Sequence, residues 1–595
     1  ASAQSPDTAR DTTVQQLVRV ATLDKPCGEC GQPYASRTYD AQSRPATYTD
    51  FKGIVRAVTY DTNGLLTQSV DAQGTTDQRT TDTTWNTVLR VPLTRTIKDH
   101  AGTLIQSNSW AYNARGQVTA ECSLDPTTSG TYSCGSQANA PSGIHQTRYS
   151  YCEAIDATQC PLIGLRLTTD GPRTDVSDIS RLRYYLTADE SGCGQSGGAC
   201  HRAGDLYQTI DAAGHTATIL AYDKAGRIVR QSDAKIVITD LADTPRGWLT
   251  RRTVRANADG TLSSADAVTT MAYDPTGTLH SVTDPDNVTV TYGYDDAHRL
   301  TDITDGQGNR IHYTLDAAGN RTKEETLDAS HTIRRSVTRT YNSLGQLVTV
   351  KDGLGQTVFD ASADGSYDAN GNLVQSRGAL GAIHQDVVDA LNRIVTSIDN
   401  ANGADLATKD TTNQYVFDAL DRLTTVTDPD GLATHYGFDG FGNPSSLQSP
   451  DTGSSSATFD AAGNTLTKTD AKGITVTNTY DALNRLVSAS YVDTRANAAY
   501  HFDEANSVTG CAASYPQGRL TRVVESAVTT TFCYDFQGQI TEKRQTQGAV
   551  TDTVSYVHTR AGRLAAIGTP SGAVTEYSRD ALGQITSVTV IPAQG

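Results

Sequence analysis

The chain has 595 residues, of which 37% are hydrophobic, and it carries 9 Phe, 3 Trp and 1 Met against 27 Tyr and 50 Gly. So few large apolar side chains exclude a set of separate thick cores, while Tyr, Thr, Val and Gly in excess describe strands and turns. A net charge of -17 and a pI of about 5.1 argue against nucleic acid and anionic membrane surfaces as partners. No apolar run approaches the roughly 18 residues a membrane-spanning helix needs. The chain begins at Ala1 rather than Met and shows no signal-like apolar stretch, as expected of a product whose leader has been removed.

In chain order, an aromatic-Asp or aromatic-Asn element appears first at Tyr39, Tyr60 (with Gly64), Tyr112 and Tyr222 (with Gly226). Insertions near residues 120–165 and 185–202 interrupt it and hold six of the ten cysteines. The cysteines fall as neighbours: Cys27 and Cys30, Cys122 and Cys134, Cys152 and Cys160, Cys193 and Cys200, with Cys511 and Cys533 further apart. An even count in close pairs predicts local disulfides in an oxidising compartment, hence a secreted or cell-surface protein. Free thiols and metal binding are the alternatives, although Cys27 and Cys30 form a lone CxxC where zinc needs four ligands. On long loops, short bridges would limit the loss of order. The run Gly192-Cys193-Gly194-Gln195-Ser196-Gly197 matches GxGxxG by letters. It lacks the preceding strand and following helix that a dinucleotide site requires, so it is read as a loop.

From about residue 271 the element becomes regular. Tyr273-Asp274-Pro275-Thr276-Gly277 is followed after 21 residues by Tyr294-Asp295-Asp296-Ala297-His298, and after another 21 by Leu315-Asp316-Ala317-Ala318-Gly319. Further copies stand at Tyr341, Tyr367 (with Gly371), Phe417, Phe438, Phe459, Tyr480 and Tyr534 (with Gly538). A fixed period of this kind is the signature of a repeat architecture. Residues 1–270 are thus an irregular repeat region with cysteine-bearing insertions and 271–595 a regular one, together a single continuous array.

The fifth position of the element is Gly at 64, 226, 277, 371, 442, 463 and 538, and Asn392, Asn484, Asp421 or His298 elsewhere. These residue types tolerate a positive φ. Asp at the start of the turn can accept a bond from the backbone two residues on, so D-x-x-G predicts a type I turn closed by a left-handed residue. A second turn lies halfway along each unit, opened by Asp284, Asp305, Asp428 or Asp470. Two turns per 21 residues leave two short strands. Val288, Val290, Tyr292 and Tyr294 share one parity, as do Leu432, Thr434, Tyr436 and Phe438, which predicts one packed and one more polar face. The fold expected is all-β: a long antiparallel ribbon of hairpins that twists and spirals into a shell or barrel.

Other chemistry is sparse. The acidic stretch from Asp360 to Asn372 could suggest calcium, but Asp368-Ala369-Asn370-Gly371-Asn372 puts Gly where the turn needs it rather than at the sixth position of a calcium loop. The repeated tyrosines could stack on sugars, but packing within the repeat explains them better. HExxH and P-loop patterns are absent, and no catalytic, cofactor or metal residue is assigned.

The Tyr-Asp-x-x-Gly-x-Leu units, the continuation from Arg422 to Gly431 and the 21-residue period resemble the RHS/YD-repeat family, over nearly the whole chain. The resemblance implies a spiral β-shell of the kind found in bacterial toxin complexes and polymorphic toxins, with teneurin barrels as relatives, and a toxin or other polypeptide enclosed within it. It implies a scaffold rather than an enzyme. The family's Asp-Pro-x-Gly-Leu self-cleavage signature is not found near the C-terminus, and repeat register continues there at Asp580-Ala581-Leu582-Gly583. The alternatives are an extracellular module that binds glycans or assembles with itself through exposed sheet edges, and, more distantly, a polysaccharide-active enzyme.

Overall fold

A computed structural model describes residues 34–593 except 128–131, 133, 136–139, 142, 194–199 and 405–407. The fold is all-β: among the described residues 44 strands, mostly five to seven residues long, form one sheet, and helix is confined to two single-turn segments at Thr494–Ala496 and Asn506–Thr509. Strands pair antiparallel with their sequence neighbours. Thr289–Tyr294 is typical, with Val282 opposite Val290 on one side and Tyr292 opposite Ile303 on the other. Contacts group the chain into two compact units. One comprises Ala1–Gln146, His312–Leu327 and Ile333–Ala457, the other Thr147–Ile311, Asp328–Thr332 and Thr458–Gly595.

The turns follow from their residues. In Asp61-Thr62-Asn63-Gly64 the Asp61 N–H donates to the Leu65 carbonyl at 2.9 Å, and the Gly64 N–H to the Asp61 carbonyl at 3.1 Å. One extra residue on the outgoing strand makes a bulge at Thr59/Tyr60, the geometry of a type I turn closed by a left-handed residue. Positive φ recurs in that slot whatever the residue: 78° at Gly64, 100° at Gly277, 61° at His298, 62° at Asn392 and 60° at Asn484. The half-way turns behave alike, with φ 67° at Asn287 and 80° at Gly431.

Truly buried apolar side chains are few. Among the described residues, Val58, Leu65, Val237 and Ile238 are the buried branched aliphatics. One small cluster joins Ala120, Cys122 and Cys134 in the first unit, and another joins Val237, Ile238 and Phe536 in the second. The alternation expected of the strands is clear in some, such as Gly453–Phe459, whereas Thr289–Tyr294 is half-buried throughout. Leu432 and Tyr436, on the expected packed side, remain 47% and 37% exposed.

The slot's backbone requirement is testable. Gly277→Ala would force φ 100° on an L-residue and push a Cβ to 2.7 Å from the Trp248 ring. A local loss of about 1–2 kcal/mol is expected from the left-handed conformation alone. His298→Gly should be neutral or stabilising. Hydrogen exchange of Ala267–Tyr273 and Leu279–Thr283, against Thr289–Tyr294 and Leu300–Asp305, reads the two effects.

Candidate functional site

At many motif turns the aspartate uses both carboxylate oxygens, whereas half-way aspartates such as Asp428 and Asp470 accept through Oδ1. Asp295 Oδ1 accepts from the N–H groups of Ala297 at 3.0 Å and Arg299 at 2.9 Å, and Oδ2 accepts from Arg299 Nε at 2.8 Å. The same pattern holds Arg227 on Asp223, Arg393 on Asp389, Asn372 on Asp368 and Asn443 on Asp439. The Arg299 backbone bond, then its side chain, holds the Asp295 carboxyl below its ordinary value. The Leu65 N–H does the same for Asp61, and the Asn320 side chain for Asp316.

The sixth position, four residues after the aspartate, then reaches the next turn along the same edge. Arg44 Nη1 donates to the Asp61 carbonyl at 3.0 Å, Arg227 to Thr244 at 2.9 Å and Arg393 to Asp418 at 2.8 Å. These arginines also cover the next aromatic: Arg44 lies 4.8 Å from the Tyr60 ring centre and Arg422 4.6 Å from Phe438. The role of this position went unread in the sequence, although its restriction to Arg, Asn or Gln in most copies was the available signal.

The motif tyrosines link hairpins in the opposite sense. Tyr222 donates its hydroxyl to the Leu206 carbonyl at 2.7 Å, Tyr273 to Leu249 at 3.0 Å, Tyr294 to Leu279 at 2.9 Å, Tyr367 to Leu347 at 2.6 Å, Tyr480 to Thr465 at 2.9 Å and Tyr534 to Leu520 at 2.6 Å. In each case the acceptor begins the strand after the preceding motif turn. Burial, with Asp205 and Tyr185 adding to it, raises the Tyr222 hydroxyl to about 12. Gly226, Gly371 and Gly538 close their turns at φ 81°, 91° and 91°.

Turns also meet across long sequence distances within each unit. In the first unit, Asn370 donates to Asp50 at 2.7 Å and accepts from the Phe51 N–H at 2.9 Å. Asp77 accepts from the Ala390 N–H at 3.2 Å, and Gly440 lies against Asp125 with no room for a Cβ. In the second, Arg173, its side chain 1% exposed, pairs with Asp460 at 3.4 Å, and Gln517 donates to the Ala234 carbonyl at 2.8 Å. His215 lies 3.3 Å from Asp503. Asp286 accepts from Thr559 at 2.6 Å and Arg563 at 2.6 Å, while Arg563 also reaches Asp284. Gln307 donates to Asp580 at 3.1 Å. Burial pushes the Asp286 carboxyl up, but the bonds from Thr559 and Arg563 outweigh it and leave it below its ordinary value.

These contacts share one arithmetic. The Asp50 turn follows the second strand and the Asp368 turn the twenty-fifth; the Asp284 turn follows the eighteenth and the Thr559 turn the forty-first. Partners stand 23 strands apart, or 25 for His215 with Asp503. Motif turns follow odd strands and half-way turns even ones, so an odd offset always sets a half-way edge against a motif edge. In each unit the later partner advances as the earlier one does.

Among the described residues four cystine bridges are present: Cys122–Cys134, Cys152–Cys160, Cys193–Cys200 and Cys511–Cys533. Cys27 and Cys30 lie outside the described residues, as do Gly194 to Gly197 of the GxGxxG-like run. Asp368 is engaged inside its own turn, with Oδ1 accepting from the Asn370 and Asn372 N–H groups and Oδ2 from the Asn372 side chain. Among the described residues, no group of three or more His, Cys, Asp or Glu could hold a metal ion, and no helix is long and apolar enough to cross a membrane.

A ribbon of two-turn repeats stapled along its edges is the construction of a β-repeat scaffold protein. The RHS Repeat profile matches residues 273–310, 294–332, 417–454, 459–496 and 558–592. Those stretches are RHS repeats, and the fold and the phased turns around them follow the same pattern. No curated protein matches it. Among solved structures it is similar to the Photorhabdus luminescens Tc holotoxin pore, at 14% identity and a TM-score of 0.52, over 93% of this chain and 35% of that one. It is also similar to TcdB2-TccC3 without its hypervariable C-terminal region, at 13% identity, a TM-score of 0.48, and 93% and 36% coverage. The chain therefore spans about a third of the length of the structures it matches.

The Arg563–Asp286 staple should show a coupling of about 1–2 kcal/mol in a double-mutant cycle to alanine. Hydrogen exchange at the two turns is the readout, because a long repeat array does not unfold in two states. Acid provides a second check. Asp61, Asp295 and Asp316 titrate below the ordinary value of 3.8. Their contribution is therefore complete above that value and lost as the pH falls through the folded one. Circular dichroism should hold steady at pH 5 and fail below the ordinary carboxylate range, and Asp295→Asn should flatten the local acid limb seen by exchange.

Proposed function

We propose that the ribbon winds into a wall enclosing a space, and that its function is architectural: to hold a toxin or another polypeptide apart from its surroundings. The observation that carries this is the odd strand offset, 23 or 25, within each unit. A sheet folding back on itself would bring partners together in opposite order, whereas partners that advance together are what successive windings of a helix produce. The half-covered apolar parity suits a lining that meets an unfolded chain. Similarity to a Tc holotoxin structure supports the wall by fold, and the four bridges fit a secreted or cell-surface location. In this reading residues 1–270 and 271–595 are the irregular and regular stretches of one array, and the motif tyrosines and slot glycines are its structural residues.

A second reading is favoured by one strand. Ile585–Ile591 carries no charge and is exposed along its whole length, an apolar surface that suits contact with another copy. Electron microscopy of the purified native material, without imposed symmetry, separates the two. Discrete hollow particles are expected; filaments with a repeat set by subunits of this size would overturn the enclosing wall.

A further inference from the structure

One pair of strands breaks the apolar pattern of the inward parity. On Ile383–Val388 and Ile394–Asp399, Asp386 stands opposite Ser397, and one step along the same parity His384 meets Asp399. Val388 occupies the aromatic slot of this repeat, so alternation puts His384 and Asp386 on the side of the motif aromatics. His384 Nδ1 lies 2.7 Å from Asp399 Oδ1, and its Nε2 lies 3.5 Å from Ser397 Oγ. Asp386 approaches the same Nε2 at 3.3 Å. Cavities of about 350 and 380 Å³ open on either side of the imidazole. The second is walled by Ile394, Tyr415, Phe417 and Leu423, with Ser397 and Asp386 at its polar side.

We propose that Ser397, His384 and Asp399 form an acyl-transfer site for small esters with an apolar acyl group. A carboxylate on one ring nitrogen and a hydroxyl on the other define such a triad by geometry and role, on any fold. Ser397 Oγ adds to the ester carbonyl as its proton passes to His384 Nε2. The alcohol leaves with that proton, and the acyl group remains on Ser397. Water then adds by the same route, giving a carboxylic acid and restoring the hydroxyl. Asp399 holds the tautomer whose Nε2 lone pair faces Ser397, and the wall of Ile394, Phe417 and Leu423 receives the acyl chain.

Asp386 sets the working pH. The titratable groups around His384 are Asp386 on its own strand, Asp399 opposite, Arg377 on the preceding strand and Tyr415 beyond Ser397. The bond to Asp399 raises His384 above its ordinary 6.5, burial partly offsets this, and Asp386 raises it again. The base is the neutral imidazole, so turnover rises as the pH passes through that elevated value. This activity does not depend on whether the ribbon closes.

The test uses the purified full chain with a fluorophosphonate probe and p-nitrophenyl butyrate. Labelling at Ser397 is expected, with hydrolysis about 100-fold or more above buffer, the scale of general base catalysis. Ser397→Ala should abolish both, and Asp399→Asn should cut turnover at least about tenfold. Asp386→Asn should keep the labelling and move the pH midpoint lower. Circular dichroism of each variant confirms that the strands form. No labelling, labelling elsewhere, or full hydrolysis in Ser397→Ala would overturn the site, and an unmoved midpoint in Asp386→Asn would overturn His384 as its base.

Discussion

The grip of a turn aspartate on its own turn, through both oxygens in motif turns such as that of Asp295, is the constraint on which the ribbon depends. One oxygen satisfies the amides that a reversing chain leaves without partners, and the other orients the side chain four residues on. That oriented side chain ties the hairpin to the next, as Arg227 and Arg393 do. A two-stranded hairpin is marginal alone in water. Repetition makes it stable because each turn is fastened to a neighbour through groups already paid for by local geometry.

Much of this was legible in residue order. Period, turn positions and positive φ followed from substituting Gly, Asn, Asp and His in one slot, because one backbone angle admits all four and few others. Cysteine neighbours announced bridges because short loops bring their ends together. The arginine of the sixth position was visible but mute: its partner is a carbonyl one repeat away, and a carbonyl belongs to every residue type. The tyrosine hydroxyl likewise ends on the backbone of Leu206 or Leu279, which no side-chain pattern can mark. The cluster at His384 was hidden for a different reason. Its members lie 13 and 15 residues apart, and only the register of two strands sets them face to face.

The long-range turn contacts show what the repeat conserves. The offset in residues shrinks from 320 between Asp50 and Asn370 to 273 between Gln307 and Asp580. The offset in strands is the same for both pairs. Residue count is thus free to vary through insertions while strand count is held, since what must match is an edge of turns spaced by the sheet. A loop added at a turn changes the first quantity and leaves the second untouched.

That freedom explains where the cysteines sit. The bridges of Cys122–Cys134, Cys152–Cys160 and Cys193–Cys200 enclose 12, 8 and 7 residues of separation, all at inserted loops rather than at regular turns. A regular turn is already closed by its aspartate and its left-handed residue, and a cross-link there would constrain nothing further. An inserted loop is longer than such a turn, and the entropy of ordering it would compete with the docking of turns against the facing edge. Closing it covalently lowers the entropy that docking must overcome. Cys511–Cys533 follows the same logic over 22 residues, anchoring the segment that carries Gln517 to its contact with Ala234. The disulfides therefore act where the repeat's own chemistry stops, and they keep the edges regular enough to meet.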